Sequence, residues 1–306
     1  MLCIAWTNHV VEQLFKIEGK KMKKVLFATT ALVMTTGYAA AEVSFSGKAG
    51  AGVFSQTTSS GDTSEVFSGI DLNVSASVTT DNGITITAAD DFGGGSLGDY
   101  DDDYAVEAQT SDLDTPGVTI ASGGISLEID NQAIDDRYDD SQNGDIGLDM
   151  TFVGNSIGIT LDTDAATGEA GMSYSIGGAA GGVSYGLKGT DSNDNDKSAF
   201  EYKVSYDMTG MSLSFDSDNE DGSDAVNTLG VTAPLGAMSV TVSADDNDDW
   251  DASVSYSASG LTISYSTDEE SAWETHATYS LGGGATAYVA ATDASEFTVA
   301  GVEFSF

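Results

Sequence analysis

Apolar and polar residues alternate through nearly all of the chain after residue 41, and this period of two most limits what the chain can form. Successive side chains of a strand point to opposite faces, so each such segment predicts a strand with one apolar and one polar face. No sustained helical period of 3.6 residues occurs there, which favours an all-β meander. The alternation is clearest in residues 43–53, 70–78, 157–161, 172–176, 183–187, 202–206, 211–215, 238–242, 254–256, 261–265 and 273–281.

Residues 22–41 have the three parts of a secretory signal peptide, so we exclude them from the fold prediction. Lys23 and Lys24 supply the positive start, and residues 25–34 form the apolar middle. Ala39 to Ala41 provide the small side chains that cleavage requires. We predict a cut near Ala41, a spurious extension over residues 1–21, and one folded domain over residues 42–306.

Residues 42–306 carry 47 acidic side chains against five basic ones. This balance excludes nucleic acid as a partner, because phosphate binding requires a cationic surface. The one cysteine, Cys3, lies upstream, so we expect no disulfide in the folded domain. Of the two histidines, only His276 lies in that domain, without an evident partner, and no nucleophile or phosphate-binding motif occurs. We therefore expect no enzyme and no cofactor.

Two architectures accept many amphipathic strands, a soluble β-sandwich and a membrane barrel with its apolar face against lipid. The barrel is favoured because the polar faces are mostly Ser, Thr, Gly and Asp, tyrosines tend to lie near strand ends, and short and long connections alternate. Val302, Phe304 and Phe306 form the apolar face of a last strand that closure would pair with the first. We predict an all-β, transmembrane, antiparallel, up-and-down β-barrel.

Three segments resemble strands of the Gram-negative general diffusion porins, in particular those of Rhodobacter-like alphaproteobacteria. Residues 42–54 resemble their first strand, residues 117–136 their fourth and fifth, and residues 279–306 their last three. The resemblance implies a homotrimer with passive passage of small hydrophilic solutes, and it makes Phe304 and Phe306 the signal read by the outer-membrane assembly machinery. It also implies a 16-stranded barrel, and since the chain length accepts 14 or 18 strands as well, we predict about 16 strands within a range of about 14 to 18.

The resemblance also implies one long acidic loop that folds into the barrel and narrows it. The candidate is residues 130–145, and the alternative is an ordinary solvated acidic loop. The candidate constriction residues are Asp130, Asp135, Asp136, Arg137, Asp139, Asp140 and Asp145.

Charged residues on the polar phase of the strands are expected to face the lumen, because a lysine facing lipid costs about 2–4 kcal/mol at mid-depth. The basic candidates are Lys48, Lys188 and Lys203, either as the basic half of the constriction or merely avoiding lipid. The acidic candidates are Glu107, Glu128 and Glu201, with Glu274 and Glu303 on the same phase. Since acids outnumber bases, a cation preference is predicted.

The predicted function is an outer-membrane porin, a water-filled channel for small hydrophilic solutes and ions. The alternatives are a non-channel structural barrel of the outer membrane and a secreted acidic β-rich adhesin. Expected partners are outer-membrane lipid and lipopolysaccharide, the assembly machinery and two further copies of the chain. Clustered carboxylates such as residues 99–103 leave weak Ca²⁺ binding open, although no EF-hand spacing occurs.

Overall fold

The computed structural model describes residues 41–59, 61–111, 115–163, 170–192, 198–219, 223–293 and 296–306. Within these ranges the chain forms strands and no helix of sufficient length and apolarity to cross a membrane. The strands are β1 (Glu42–Thr58), β2 (Gly61–Thr79), β3 (Thr85–Asp99), β4 (Ala105–Ala108), β5 (Gly117–Ser122), β6 (Ile125–Asp135), β7 (Gln142–Phe152), β8 (Asn155–Leu161), β9 (Ala170–Ala180), β10 (Val183–Ser192), β11 (Ser198–Met208), β12 (Met211–Asn219), β13 (Val226–Leu235), β14 (Met238–Asp245), β15 (Trp250–Ala258), β16 (Leu261–Asp268), β17 (Trp273–Gly282), β18 (Ala285–Thr292) and β19 (Phe297–Ser305).

Eighteen of these strands form one closed antiparallel barrel, and β4 is an additional strand. Each barrel strand pairs with its neighbours in chain order, and β1 pairs with both β2 and β19. The closing register runs from Lys48 opposite Ser305 to Ser55 opposite Thr298. Closure leaves no unpaired edge, as a barrel in lipid requires. The all-β barrel prediction is confirmed, and the strand number lies at the upper end of the predicted range.

Connections at one end of the barrel are very short. This explains why the chain forms eighteen barrel strands and not the predicted number of about 16. Seven of them have two residues, at 123–124, 153–154, 181–182, 209–210, 236–237, 259–260 and 283–284, and the eighth spans residues 80–84. Several place both residues at positive φ, such as Gly181 and Gly182 at 63° and 84°, which two-residue hairpins favour. The opposite end includes residues 109–116 and 162–169, so the predicted alternation of short and long connections is present.

The apolar face of the barrel points outward and is exposed. Val53, Val302, Phe304 and Phe306 keep 54%, 50%, 49% and 51% of their surface accessible. Burying one such side chain stabilises a soluble protein by about 1.5–3 kcal/mol, so a whole face of them in water would be strongly destabilising. Lipid covers such a face in a membrane barrel.

The buried apolar residues lie inside the barrel. Phe67, Tyr288, Ala290, Phe297 and Val299 form one cluster on the face opposite the exposed aliphatic residues. Tyr104, from the connection between β3 and β4, completes this cluster. A packed core at this place means that a segment of the chain has folded into the lumen.

Candidate functional site: the pore constriction

The segment predicted as one loop, residues 130–145, is largely strand. Asp130 and Asp135 lie in β6, Asp145 lies in β7, and only residues 136–141 connect the two strands. The register breaks between Ile129 and Ile134, where Gln132 has a φ of 57°. We call residues 136–141 the β6–β7 tip, and it holds Asp136, Arg137, Asp139 and Asp140.

The β6–β7 tip folds against the polar face of β8, β9 and β12. The Arg137 backbone N–H donates to Ser173 Oγ at 2.8 Å, and Thr160 Oγ1 donates to the carbonyl of Asp135 at 3.0 Å. The Tyr138 hydroxyl donates to Asp218 Oδ1 at 2.6 Å. These partners alternate with outward-facing residues of their strands, so the tip lies inside the lumen.

The acids of the tip have different environments. Asp136 is only 3% exposed, and its Oδ1 accepts the N–H groups of Tyr138 at 2.7 Å and Asp139 at 3.4 Å. Asp136 therefore shapes the turn. Asp139 and Asp140 are exposed, and Asp139 Oδ1 also accepts the Ser141 hydroxyl at 2.7 Å. The exposed pair adds negative charge to the lumen.

Basic groups near the tip are paired with carboxylates. Arg137 Nη2 lies 3.0 Å from Asp149 Oδ2, and Lys188 Nζ lies 2.9 Å from Glu201 Oε2. Lys188 Nζ also donates to the carbonyl of Tyr138 at 2.8 Å and lies 5.4 Å from the centre of its ring. Lys188 thus holds the tip against its own wall instead of facing it across the lumen.

The remaining charged candidates are dispersed around the barrel. Lys203 Nζ lies 3.5 Å from Asp216 Oδ2 on the next strand, and Lys48 stands opposite Asp71 and Ser305 in the ladder. Glu128 lies on β6 opposite Gly147. Glu107 is on the additional strand β4, so it does not belong to the barrel wall, contrary to the strand phase assumed from the sequence.

A second inward element was missed by the sequence reasoning. Strand β3 pairs with β2 only as far as Gly95, where φ is 75° and a Cβ would collide with the carbonyl of Ser68. Beyond this point β3 pairs with β4, from Ser96 opposite Ala108 to Asp99 opposite Ala105. We call residues 96–108 the lumen hairpin.

The lumen hairpin packs against the inner wall of β17, β18 and β19. The Tyr100 ring stacks on Tyr288 with centroids 4.2 Å apart, and its hydroxyl donates to Glu303 Oε1 at 3.0 Å. The Tyr104 hydroxyl shares a 3.4 Å hydrogen bond with His276 Nδ1, so this histidine does have a partner. The carboxylates of Asp99, Asp103 and Glu107 approach within 4.8 Å of one another.

Both tyrosines of the hairpin remain protonated donors near neutral pH. Burial, followed by the negative charges of Glu274, Asp101 and Asp99, raises the pKa of Tyr104 to about 12. Burial, and next the charge of Glu303, also raises the pKa of Tyr100. Deprotonation of these two tyrosines therefore does not disturb the anchoring hydrogen bonds in the neutral range.

Signals for this hairpin are present in the sequence. Gly93, Gly94 and Gly95 form a run in which a strand can leave its partner. Phe297 and Val299 interrupt the polar phase of β19 with large apolar side chains, which only a partner inside the lumen would bury. The sequence analysis considered residues 99–103 only for their clustered carboxylates, whereas the two tyrosines at 100 and 104 mark the packed side of the hairpin.

Phe304 and Phe306 lie on the outward face, with ring centroids 5.9 Å apart. Phe306 and Gly47 exchange two backbone hydrogen bonds of 3.0 Å each, so the end of β19 is held against β1. Their part in assembly stays a prediction.

Comparisons with known proteins agree with this geometry. Residues 28–302 match the family described as Gram-negative porin. Among solved structures, a double mutant of the Rhodopseudomonas blastica porin is similar with 14% identity over 87% of this chain and 100% of its own, at a TM-score of 0.52. OpdQ of Pseudomonas aeruginosa shares 11% identity over 87% of this chain and 97% of its own, at a TM-score of 0.55.

The curated proteins contain no match to the chain. At identities of 11–14% the similarity to the solved structures shows only the fold. The family match rests on the sequence and covers most of the chain. A closed barrel with a lipid-facing exterior and inward-folded segments is the arrangement expected from that match. The chain belongs to the Gram-negative porin family.

Proposed function

We propose that this porin preferentially passes cations and small hydrophilic solutes, with the β6–β7 tip as one side of its constriction. Family and fold make the protein an outer-membrane channel for passive diffusion and not an enzyme. A secreted adhesin does not fit a closed barrel of this family, and a closed structural barrel does not fit its channel function. The cation preference is the new claim.

The observation that carries the claim is that three lumen cations are paired, while the exposed Lys48 has no ion pair among the described residues. Within the described part of the chain, Arg137, Lys188 and Lys203 each have a carboxylate at 3.0, 2.9 and 3.5 Å. Exposed carboxylates remain in excess on the tip and on the lumen hairpin, among them Asp139 and Asp102. Low-dielectric walls focus the field of such charges, which raises the local cation concentration over a screening length of about 8–10 Å.

The test is the reversal potential of single channels in a planar bilayer across a tenfold KCl gradient. An ideally cation-selective pore gives about 59 mV, and we expect a potential of the cation sign at a substantial fraction of this value. A potential of the anion sign would refute the proposed preference while leaving the channel itself intact. A neutral tetrasaccharide added to one side reports solute passage in the same records.

We further propose a homotrimer whose contact includes the outward faces of β18, β19, β1 and β3. The family supports association of this kind. Asp90 lies opposite Val74 on the outward face, and a carboxylate there is disfavoured in lipid but acceptable in a protein contact. Small side chains that allow close approach line the neighbouring strands, namely Ala49, Ala51, Ala285, Ala287, Ala291 and Ala300.

Other parts of the proposal rest on the family and the sequence alone. They are cleavage of a signal peptide near Ala41, which concerns residues 1–40 outside the described ranges, contact with lipopolysaccharide, and delivery by the assembly machinery. Residues 42–306 then form the single barrel domain. Weak Ca²⁺ binding, left open by the sequence, has a candidate in Asp99, Asp103 and Glu107, and a calcium-dependent change in thermal unfolding would test it.

A further inference from the structure

We propose that the lumen hairpin is a second constriction element, which together with the β6–β7 tip sets the width of the open path. This inference rests on the channel function above. The sequence reasoning assigned the narrowing to residues 130–145 alone. The structure places a longer, better packed segment at a different part of the wall.

The anchoring of the hairpin distinguishes it from a surface loop. Leu97 is 5% exposed, and a Cβ at Gly98 would lie 2.6 Å from the Tyr288 hydroxyl, so the backbone runs directly along the wall. The Tyr100–Tyr288 stack and the hydrogen bonds to Glu303 and His276 tie it to three strands. Aromatic pairs of this kind contribute about 0.5–1.5 kcal/mol beyond their burial, so the inward position is the stable one.

The two inward elements lie on different parts of the ring. The hairpin contacts β17, β18, β19, β1 and β2, whereas the tip contacts β7, β8, β9, β10 and β12. None of the hydrogen bonds, ion pairs and ring contacts given above joins either element to β13–β16. The strands β13–β16 are thus the longest stretch of wall without such a contact, and the proposed open path runs along it.

The wall along this path is lined mostly by hydroxyl groups, with Asp245, Asp251 and Asp268 on the same phase near the strand ends. Inward positions alternate with the outward aliphatic and aromatic residues in the ladders of these four strands. Cross-strand bonds such as Thr232 to Thr241 at 3.0 Å and Ser257 to Thr262 at 2.9 Å show that the hydroxyls meet on one face. The inward hydroxyl residues are Thr228, Thr232, Ser239, Thr241, Ser243, Ser253, Ser255, Ser257, Thr262, Ser264 and Ser266.

The fraction of the lumen that the hairpin fills, and so its effect on conductance, follows from strand geometry. Eighteen strands about 4.8 Å apart and tilted roughly 40° enclose a lumen of roughly 500 Å² once side chains are allowed for. A two-stranded hairpin about 10 Å deep occupies roughly 100 Å² of it. Removing the hairpin should thus raise the single-channel conductance by roughly 1.3-fold.

The first experiment uses single cysteines, which the lack of cysteine after Cys3 makes specific. Asp102→Cys places the thiol on the exposed turn of the lumen hairpin, and Glu270→Cys places it on the β16–β17 connection at the same end of the barrel. Both variants lose one carboxylate, so they are matched in charge. After reaction with a bulky neutral maleimide, we expect the Asp102→Cys conductance to fall by at least half, with little change for Glu270→Cys.

The second experiment replaces residues 97–107 by two glycines and compares conductance with the parent protein. A rise of about 1.3-fold in barrels shown to be folded by their heat-modifiable gel mobility supports the proposal. Unchanged conductance of Asp102→Cys after labelling confirmed by mass spectrometry would overturn it. The same records give the reversal potential, so an anion-selective parent would refute the cation preference without affecting the comparison of conductances.

Discussion

Replacing Lys188 by methionine should loosen the β6–β7 tip. The ammonium donates to the carbonyl of Tyr138 at 2.8 Å and pairs with Glu201 at 2.9 Å, while a methionine keeps much of the stem. Lys203→Met is the matched control on the adjacent strand. Lys203 pairs with Asp216 at 3.5 Å, and this ion pair does not involve the tip. The Lys203 side chain is 60% exposed, against 35% for Lys188.

The two substitutions should change the docking free energy of the tip by different amounts, because only Lys188 contacts the tip. A hydrogen bond to a charged group contributes about 1.5–3 kcal/mol, and an exposed ion pair about 0.2–1 kcal/mol. We therefore expect Lys188→Met to weaken docking of the tip by about 2 kcal/mol, a shift of roughly 30-fold in its docking equilibrium. Lys203→Met should have no effect on docking.

The assay is the occupancy of sub-conductance states in single-channel records. Each variant removes one positive charge from the lumen, so both should move the reversal potential toward the cation limit by a similar amount. Only Lys188→Met should increase the sub-state occupancy, by more than tenfold. Equal sub-state occupancy in the two variants would refute the assigned role of Lys188.

Three further outcomes are expected. Deleting Phe306 should lower outer-membrane levels at least tenfold on immunoblots, while Phe306→Tyr keeps them, and unchanged levels after deletion would count against an assembly role. Ala51→Trp should abolish the trimer band on mild gels, whereas Val231→Trp, on the outward face of β13, should not. Cation preference should fall as pH is lowered. Desolvation and then neighbouring carboxylates raise the pKa of Asp249, while hydrogen bonds from an asparagine lower the pKa of Asp246. Asp249 therefore protonates at a higher pH than Asp246, its protonation favours the folded state as pH falls through the raised pKa, and Asp249→Asn should remove its step from the reversal-potential titration.

The barrel and its two faces could be predicted from the sequence because strand alternation is a local property. A period of two determines which side chains share a face, so Val302 and Phe304 were placed outside and Glu201 on the polar side without knowledge of any partner strand. The glycine run that ends at Gly283–Gly284 likewise marks a two-residue hairpin through its own backbone preference. These features can be predicted without knowing which residues far apart in the sequence contact each other.

Ring closure and packing inside the lumen could not be predicted from local patterns, since they depend on contacts between residues far apart in sequence. Tyr100 meets Glu303 across 203 residues, and Tyr138 meets Asp218 across 80. Alternation indicates that Lys188 faces inward but not that it holds the β6–β7 tip. Periodicity therefore determined the two faces of each strand, and the small polar side chains, the tyrosine positions and the connection lengths favoured a lipid-facing barrel. The tertiary structure decided its eighteen strands and the two segments that fold into the lumen, because only closure of the ring brings those distant side chains within reach.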